Sequence, residues 1–203
     1  MPSLQRQQSL SRVAFELNFH FSDKQDQSPL AYLKDFHLFR EGGSKKVYHL
    51  MSKKDDLLES ELRIFDYSYT ISTGKTSHTY HQTVFFLQSK KLGLPQFFMS
   101  PENLFHRFKE YLGFRKDIDF AEFPKFSEQY YLQGEDPEYI RLAFDSRVLR
   151  LFTVEPDWHV EGVNYYLAFY RKHQLLPPRE IKRFYELGLK LARFMEAESL
   201  DLE

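Results

Sequence analysis

Cysteine is absent from this chain of 203 residues. That excludes disulfides, thiol catalysis and zinc sites built on thiolate. It suits a reducing compartment, so a cytoplasmic location is expected, at the membrane face if the chain is part of a longer protein. An excess of one charge is absent too: 28 basic and 29 acidic residues leave a net charge of -1. The balance supplies no electrostatic drive toward nucleic acid or an anionic membrane, and nucleic acid is not an expected partner. No apolar run approaches the roughly 20 residues that a membrane span needs. The opening MPSLQRQQSL lacks the apolar core of a signal peptide. The GxSxG nucleophile turn, the HExxH zinc motif and the phosphate-binding loop are all missing.

Aromatic residues are abundant: 21 Phe and 13 Tyr point to an aromatic core. They concentrate in LRIFDYSYTISTGKTSHTYHQTVFFL, from Leu62 to Leu87. Two runs of strand composition flank Ser72 to Ser77, whose composition is that of a loop with one Gly. Phe65, Tyr67, Tyr69 and Ile71 alternate with Asp66, Ser68 and Thr70. That period of two predicts a strand with one buried and one wet face. Pairing Phe65 with Val84, Tyr69 with Tyr80, Asp66 with Thr83 and Ser68 with His81 keeps each face consistent. A slip of one residue would mix the faces. Leu62, Ile64 and the run Val84 to Leu87 predict an open end covered on both sides and a turn end covered on one.

The remaining chain reads as shorter strands and covering helices. Residues 3–17 have loosely helical spacing, and Phe19 and Phe21 suggest a short strand. Leu30 to Leu33 reads as one helical turn, and Phe36 to Arg40 is an ambiguous apolar segment ending at Gly42-Gly43. Lys45 to Ser52 reads as a strand, and Lys53 to Ser60 as a charged turn. Gln96 to Met99 is the next strand. Ser100-Pro101-Glu102 has the composition of a helix start, with Leu104, Phe105, Phe108, Tyr111 and Leu112 on one face. Asp117 to Lys125 looks irregular, and Tyr130 to Leu132 is a short strand. Asp136-Pro137-Glu138 opens another helix, with a break and a new cap at Asp145-Ser146. Trp158 to Val160 and Tyr165 to Tyr170 form a hairpin. Pro177-Pro178 opens a long last helix, in which Gly188 implies close packing. Strands first and helices later argue for an α+β fold with a mainly antiparallel sheet built on the long hairpin. Residues 1–203 read as a single domain, and Leu202-Glu203 fits the scar of a vector-encoded tag on a piece of a longer chain.

Several groupings carry chemical residue types. Asp66, Ser68 and His81 share a face and match an acid, a nucleophile and a base. A solvated strand face explains them more simply, and a hydrolase using them is the alternative reading. His78 and His81, with His49 or His106, are metal-ligand types. However, His78 and His81 point to opposite faces of a strand, and no metal is expected. Gly42-Gly43-Ser44-Lys45-Lys46 lacks phosphate-loop spacing and reads as a basic turn. Nothing marks Asp117, Asp119 and Glu122 as an acid/base couple. No cofactor is expected.

The segments RIFDYSYTISTGKTSHTYHQTV, FSEQYYLQGED and WHVEGV resemble an uncharacterised family of bacterial proteins with an FDYxYT, QTV and YxLxGED pattern. The likeness covers most of Val47 to Met195. Some members carry a membrane-spanning segment before this domain, so the resemblance implies a membrane-associated role and no assigned activity. The expectation is a non-catalytic domain that binds a protein or small molecule through Tyr67, Tyr69, Tyr80 and His81 beside the hairpin.

Overall fold

The computed structural model describes residues 3–24, 33, 35–55, 57, 59–102 and 117–196. The chain is α+β, as its strand and helix patterns predict. In order it forms α1 (Leu4–Glu16), β1 (His20–Ser22), α2 (His37–Arg40), β2 (Gly43–Asp55), β3 (Ser60–Ser72), β4 (Ser77–Ser89) and β5 (Leu94–Pro101). Then come α3 (Pro124–Gln129), β6 (Tyr130–Gly134), α4 (Pro137–Ala143), α5 (Ser146–Val154), β7 (His159–Asn164) and β8 (Tyr166–Tyr170). A 3-10 turn (Pro178–Glu180) leads into α6 (Ile181–Phe194). The strands make one open eight-stranded sheet in the order β1-β2-β3-β4-β8-β7-β5-β6. Every neighbouring pair is antiparallel.

The hairpin of β3 and β4 has the register its chemistry demands. Phe65 faces Val84, Asp66 faces Thr83, Ser68 faces His81 and Tyr69 faces Tyr80, without a bulge from Ser60↔Ser89 to Ser72↔Ser77. Helix starts also follow local signals. Asp136 accepts from the Tyr139 N–H, and Asp145 accepts from the Arg147 and Val148 N–H groups, which restarts the chain as α5 after the break.

Three expectations need correction. β2 runs on to Asp55, so the charged turn is shorter than its composition suggested. Ser100 and Pro101 end β5, with Pro101 paired with Tyr130, so the helix signalled by Ser100-Pro101-Glu102 starts only at Glu102; the rest of that helix, with Phe108, and most of the turn expected at Leu30 to Leu33 lie outside the described residues. Most consequentially, the Asp66 face of the hairpin is not wet. Asp66 is 1% exposed, Ser68 4% and Thr83 1%. Cover on that face reaches well beyond the open end.

The pleat therefore feeds two cores. On the first face Ile64, Phe85, Phe97, Leu132, Val160 and Phe169 pack beneath α1 and α3–α6. On the second face Phe65, Tyr67, Tyr69, Val84, Phe86 and Tyr170 pack beneath Leu33, Phe36, Leu38 and Phe39. Gly188 shows why α6 can lie so close. A Cβ there would sit 2.5 Å from the Phe85 ring, closer than any real contact.

Two substitutions test this packing by chemical denaturation. Phe65→Ala, at a fully buried ring, should cost about 3–5 kcal/mol. Gly188→Ala gains about 1 kcal/mol of helix propensity, yet should destabilise by about 1–3 kcal/mol through overpacking against Phe85. A stabilised Gly188→Ala protein would show that α6 sits further from the sheet.

Candidate functional site

On the first face, α1 reaches the sheet through one ion pair. Ser3 caps α1 by accepting from the Arg6 N–H, which sets Arg6 in the first turn. The Arg6 guanidinium then grips Asp66 with both arms, Nε to Oδ2 at 2.7 Å and Nη2 to Oδ1 at 2.8 Å. His49 Nδ1 lies 2.8 Å from Oδ2, and the Thr83 hydroxyl donates to Oδ1 at 2.9 Å. Arg6 also donates to the Leu176 carbonyl at 2.8 Å, and the Leu176 N–H donates to Thr83 Oγ1 at 3.0 Å. Burial alone would raise the Asp66 carboxyl, but the bonds from Arg6 and His49, the Arg6 charge and the Thr83 bond outweigh it and hold it below the usual range. Every lone-pair direction is spent on structure.

This arrangement does not assemble a triad from Asp66, Ser68 and His81. Asp66 is committed to Arg6, His49 and Thr83. His81 is exposed, and its Nδ1 lies 2.6 Å from the Tyr48 hydroxyl. Ser68 is buried on the same face, and its hydroxyl joins neither Asp66 nor His81. His78 pairs with Ile71 at the exposed turn end. Among the described residues no group of three His, Cys, Asp or Glu could hold a metal ion.

The second face has a different character. Residues 35–42, with Leu33, form a strap across an aromatic bed. The Phe36 ring meets Phe86 edge-on at 5.7 Å, and the Phe39 ring meets Tyr67 at 4.8 Å. Two carboxylates pin this strap. Glu161 on β7 accepts from the His37 N–H at 2.5 Å and the Leu38 N–H at 3.0 Å, while the Tyr170 hydroxyl donates to it at 2.8 Å. Glu41, on the strap itself, accepts from the Tyr69 hydroxyl at 2.6 Å and from Lys172 at 2.7 Å. His173 closes the rim, its Nε2 2.8 Å from the Tyr69 hydroxyl and its ring stacked on Tyr80 at 4.0 Å. In the middle of the bed the Tyr67 hydroxyl is buried with no hydrogen-bond partner, an arrangement that costs free energy unless something supplies an acceptor.

Of the four residues expected to form a binding surface, three share this face. Tyr67 and Tyr69 are fully buried in the bed. Tyr80 is half-buried at its rim, and His81 stands exposed on the opposite face. They do not form one open surface. The anchors were missed. Glu161 has a visible signal, an acid inside the apolar strand pattern WHVEGV, and Phe36 and Phe39 lie in the segment read as ambiguous. An open cleft of about 340 Å³ lies elsewhere, between α4, α5 and the loop before α3, lined by Phe120, Phe123, Arg141 and Phe144 among others.

Burial pushes the Glu161 carboxyl up to about 7, against its hydrogen bonds from Leu38, Tyr170 and His37. In the unfolded chain such a carboxyl titrates at about 4.3. The folded chain therefore holds the extra proton between these values. Stability from Glu161 is fully present below the unfolded value and is lost as pH rises to about 7. His159, pushed down to about 3 by burial and then by the charges of Lys172 and His173, runs the opposite way. It is common to the wild type and a Glu161→Gln variant, so it cancels in their difference. The unfolding free energy of wild type relative to that variant should fall as pH is raised from 4 to 7; a flat difference would contradict the burial of Glu161. Asp66 has the other sign. Its depressed carboxyl contributes stability above about pH 4 that is lost as pH falls through its folded value. Asp66→Asn should cost about 3 kcal/mol at neutral pH by leaving Arg6 poorly paired, with the gap closing in acid.

No family model and no curated protein matches the chain. Among solved structures, it is similar to the crystal structure of the mycobacterial trehalose monomycolate transport factor A, TtfA. The TM-score is 0.64 at 13% sequence identity, over 95% of this chain and 93% of that chain. At this identity the likeness establishes a shared fold.

Proposed function

We propose that this chain is a non-catalytic binding domain, and that its ligand site is the aromatic bed beneath the strap. The observation that carries the reading is the unequal treatment of the two faces. Among the described residues, five helices cover the first face, whereas a short strap held through Glu161 and Glu41 covers the second. The strap shows with its own side chains what the bed accepts. Phe36 and Phe39 lay rings on it, and the Glu41 carboxylate meets Tyr69 and Lys172. A ligand replacing them would be an apolar or aromatic group bearing a hydrogen-bond acceptor, which the unpartnered Tyr67 hydroxyl could also meet.

The fold shared with a transport factor named for trehalose monomycolate supports a ligand of this amphiphilic kind. The resemblance to the FDYxYT bacterial family belongs to the same reading. The FDYxYT and QTV parts of its pattern fall on β3 and β4, which carry the bed, and the YxLxGED part falls on β6 at the sheet edge. A membrane-associated protein is a natural home for such a domain, and no described helix is long and apolar enough to cross a membrane.

A closed strap lowers apparent affinity by the fraction of time that the site is open. Phe39→Ala, which removes the ring from Tyr67, should therefore tighten binding of an environment-sensitive apolar dye by about tenfold. Native mass spectrometry of protein purified without detergent should reveal a bound amphiphile. Absence of dye binding in both proteins, with the fold intact, would refute the site.

A further inference from the structure

The near-neutral net charge hides a segregated surface on the helical side. Helices α5 and α6 lie side by side and antiparallel, joined at both ends. At one end the Arg147 guanidinium sits 5.4 Å from the Phe194 ring and its Nη2 reaches the Phe194 carbonyl at 3.4 Å. At the other, Arg183 pairs with Glu155. The inner stripes, with Val148, Leu149 and Phe152 on α5 and Ile181, Phe184 and Leu191 on α6, are buried. The outer stripes carry Arg147, Arg150, Lys182, Arg183, Lys190 and Arg193, against a single acid, Glu186. Since the whole chain has a net charge of -1, the remainder is correspondingly acidic.

Neutralisation within the ridge is incomplete. Arg147 is paired with Asp145 and Arg183 with Glu155. Among the described residues, Arg150, Lys182, Lys190 and Arg193 have no carboxylate within ion-pair distance. Lys190 and Arg147 instead flank the Phe194 ring, at 5.7 Å and 5.4 Å. Val154, at the far end of the α5 stripe, is 77% exposed. The ridge thus combines unpaired cations, an aromatic ring and an exposed aliphatic side chain. Helices of these lengths span about 13 and 21 Å side by side.

We infer that the outer face of α5 and α6 rests on an anionic lipid surface. Charge complementarity selects an anionic partner, and the Phe194 ring and exposed Val154 among the cations favour a lipid surface, which offers an acyl boundary as well as headgroup phosphates. The long stems of Lys and Arg allow their cations to meet headgroup phosphates while Phe194 and Val154 approach the acyl boundary. The inference rests on the membrane-associated part of the proposed function but not on the ligand bed, which lies across the sheet.

Vesicle co-sedimentation tests it, with the full chain and phosphatidylcholine vesicles containing or lacking phosphatidylglycerol. The expected result is binding to the anionic vesicles alone, lost at high salt, where the Debye length falls to about 3 Å. Reversal of Arg150, Lys190 and Arg193 to Glu should weaken it about a hundredfold or more. Reversal of the exposed Lys46 and Lys75, at the hairpin turn end, should change it little. Should the triple reversal disturb the thermal melt, the milder Arg150→Gln, Lys190→Gln and Arg193→Gln combination provides the comparison. Equal sedimentation of wild type and triple variant would overturn the inference. So would failure of the wild type to bind anionic vesicles, or capture of an acidic peptide or DNA in their place. Dye binding beneath the strap should be the same in the triple variant, so either proposal can fail alone.

Discussion

The pairing of β3 with β4 is the constraint on which everything else rests. It runs unbroken from Ser60↔Ser89 to Ser72↔Ser77, in the middle of the sheet, with core on both sides along most of its length. A strand buried on both faces cannot slip by one residue without exchanging its two cores. Here those cores differ in kind. One face presents Ile64 and Phe85 to helices, and the other presents Phe65, Tyr67 and Tyr69 to a strap. The register therefore decides which residues bind helices and which can bind anything else.

Much of this was legible in the sequence because the hairpin is local. Its alternation, its loop composition and its matched faces specify the register without help from distant residues. The caps at Asp136 and Asp145 and the tight glycine at Gly188 were legible for the same reason. The wetness of the Asp66 face was misread because its cover is not local. Asp66, Ser68 and Thr83 have the composition of a solvated strand. Asp66 and Thr83 are nevertheless covered by Arg6, 60 residues from Asp66, together with the Leu176 backbone. A period of two reports which residues share a face; it does not report whether a partner arrives from elsewhere to satisfy polar ones. The same limit hid the strap. Its anchoring depends on Glu161, 124 residues beyond His37, and a four-residue helix leaves almost no periodic trace.

The two buried carboxylates divide the molecule into a fixed side and a releasable one. Asp66 is met by a guanidinium, so its charge is compensated at close range and its proton is repelled. Removing either partner strands the other, which makes α1 a permanent part of the sheet. Glu161 is met by two backbone N–H groups and a tyrosine hydroxyl, none carrying a full charge. Burial then outweighs hydrogen bonding, and the proton is retained up to about 7. A strap lifted into water would let Glu161 ionise freely. Proton linkage therefore makes release easier as pH rises and holds the strap more firmly in acid.

This contrast is the reason for placing the proposed ligand on the second face rather than the first. A binding site needs apolar area that can be uncovered at moderate cost and polar groups that do better with a ligand than without one. The first face fails on both counts. Its helices share a continuous core with the sheet, and Asp66 already has all the partners it can use. The second face meets both. Among the described residues its cover is a few residues long, Glu41 can exchange Tyr69 and Lys172 for solvent, and the Tyr67 hydroxyl has no partner to lose. The triad types of the hairpin are not brought together. The hydroxyl and imidazole groups of the hairpin are instead divided between a buried network and an exposed turn end. The same division, a sheet with one sealed face and one face under a short strap, is the arrangement that the proposed binding role requires.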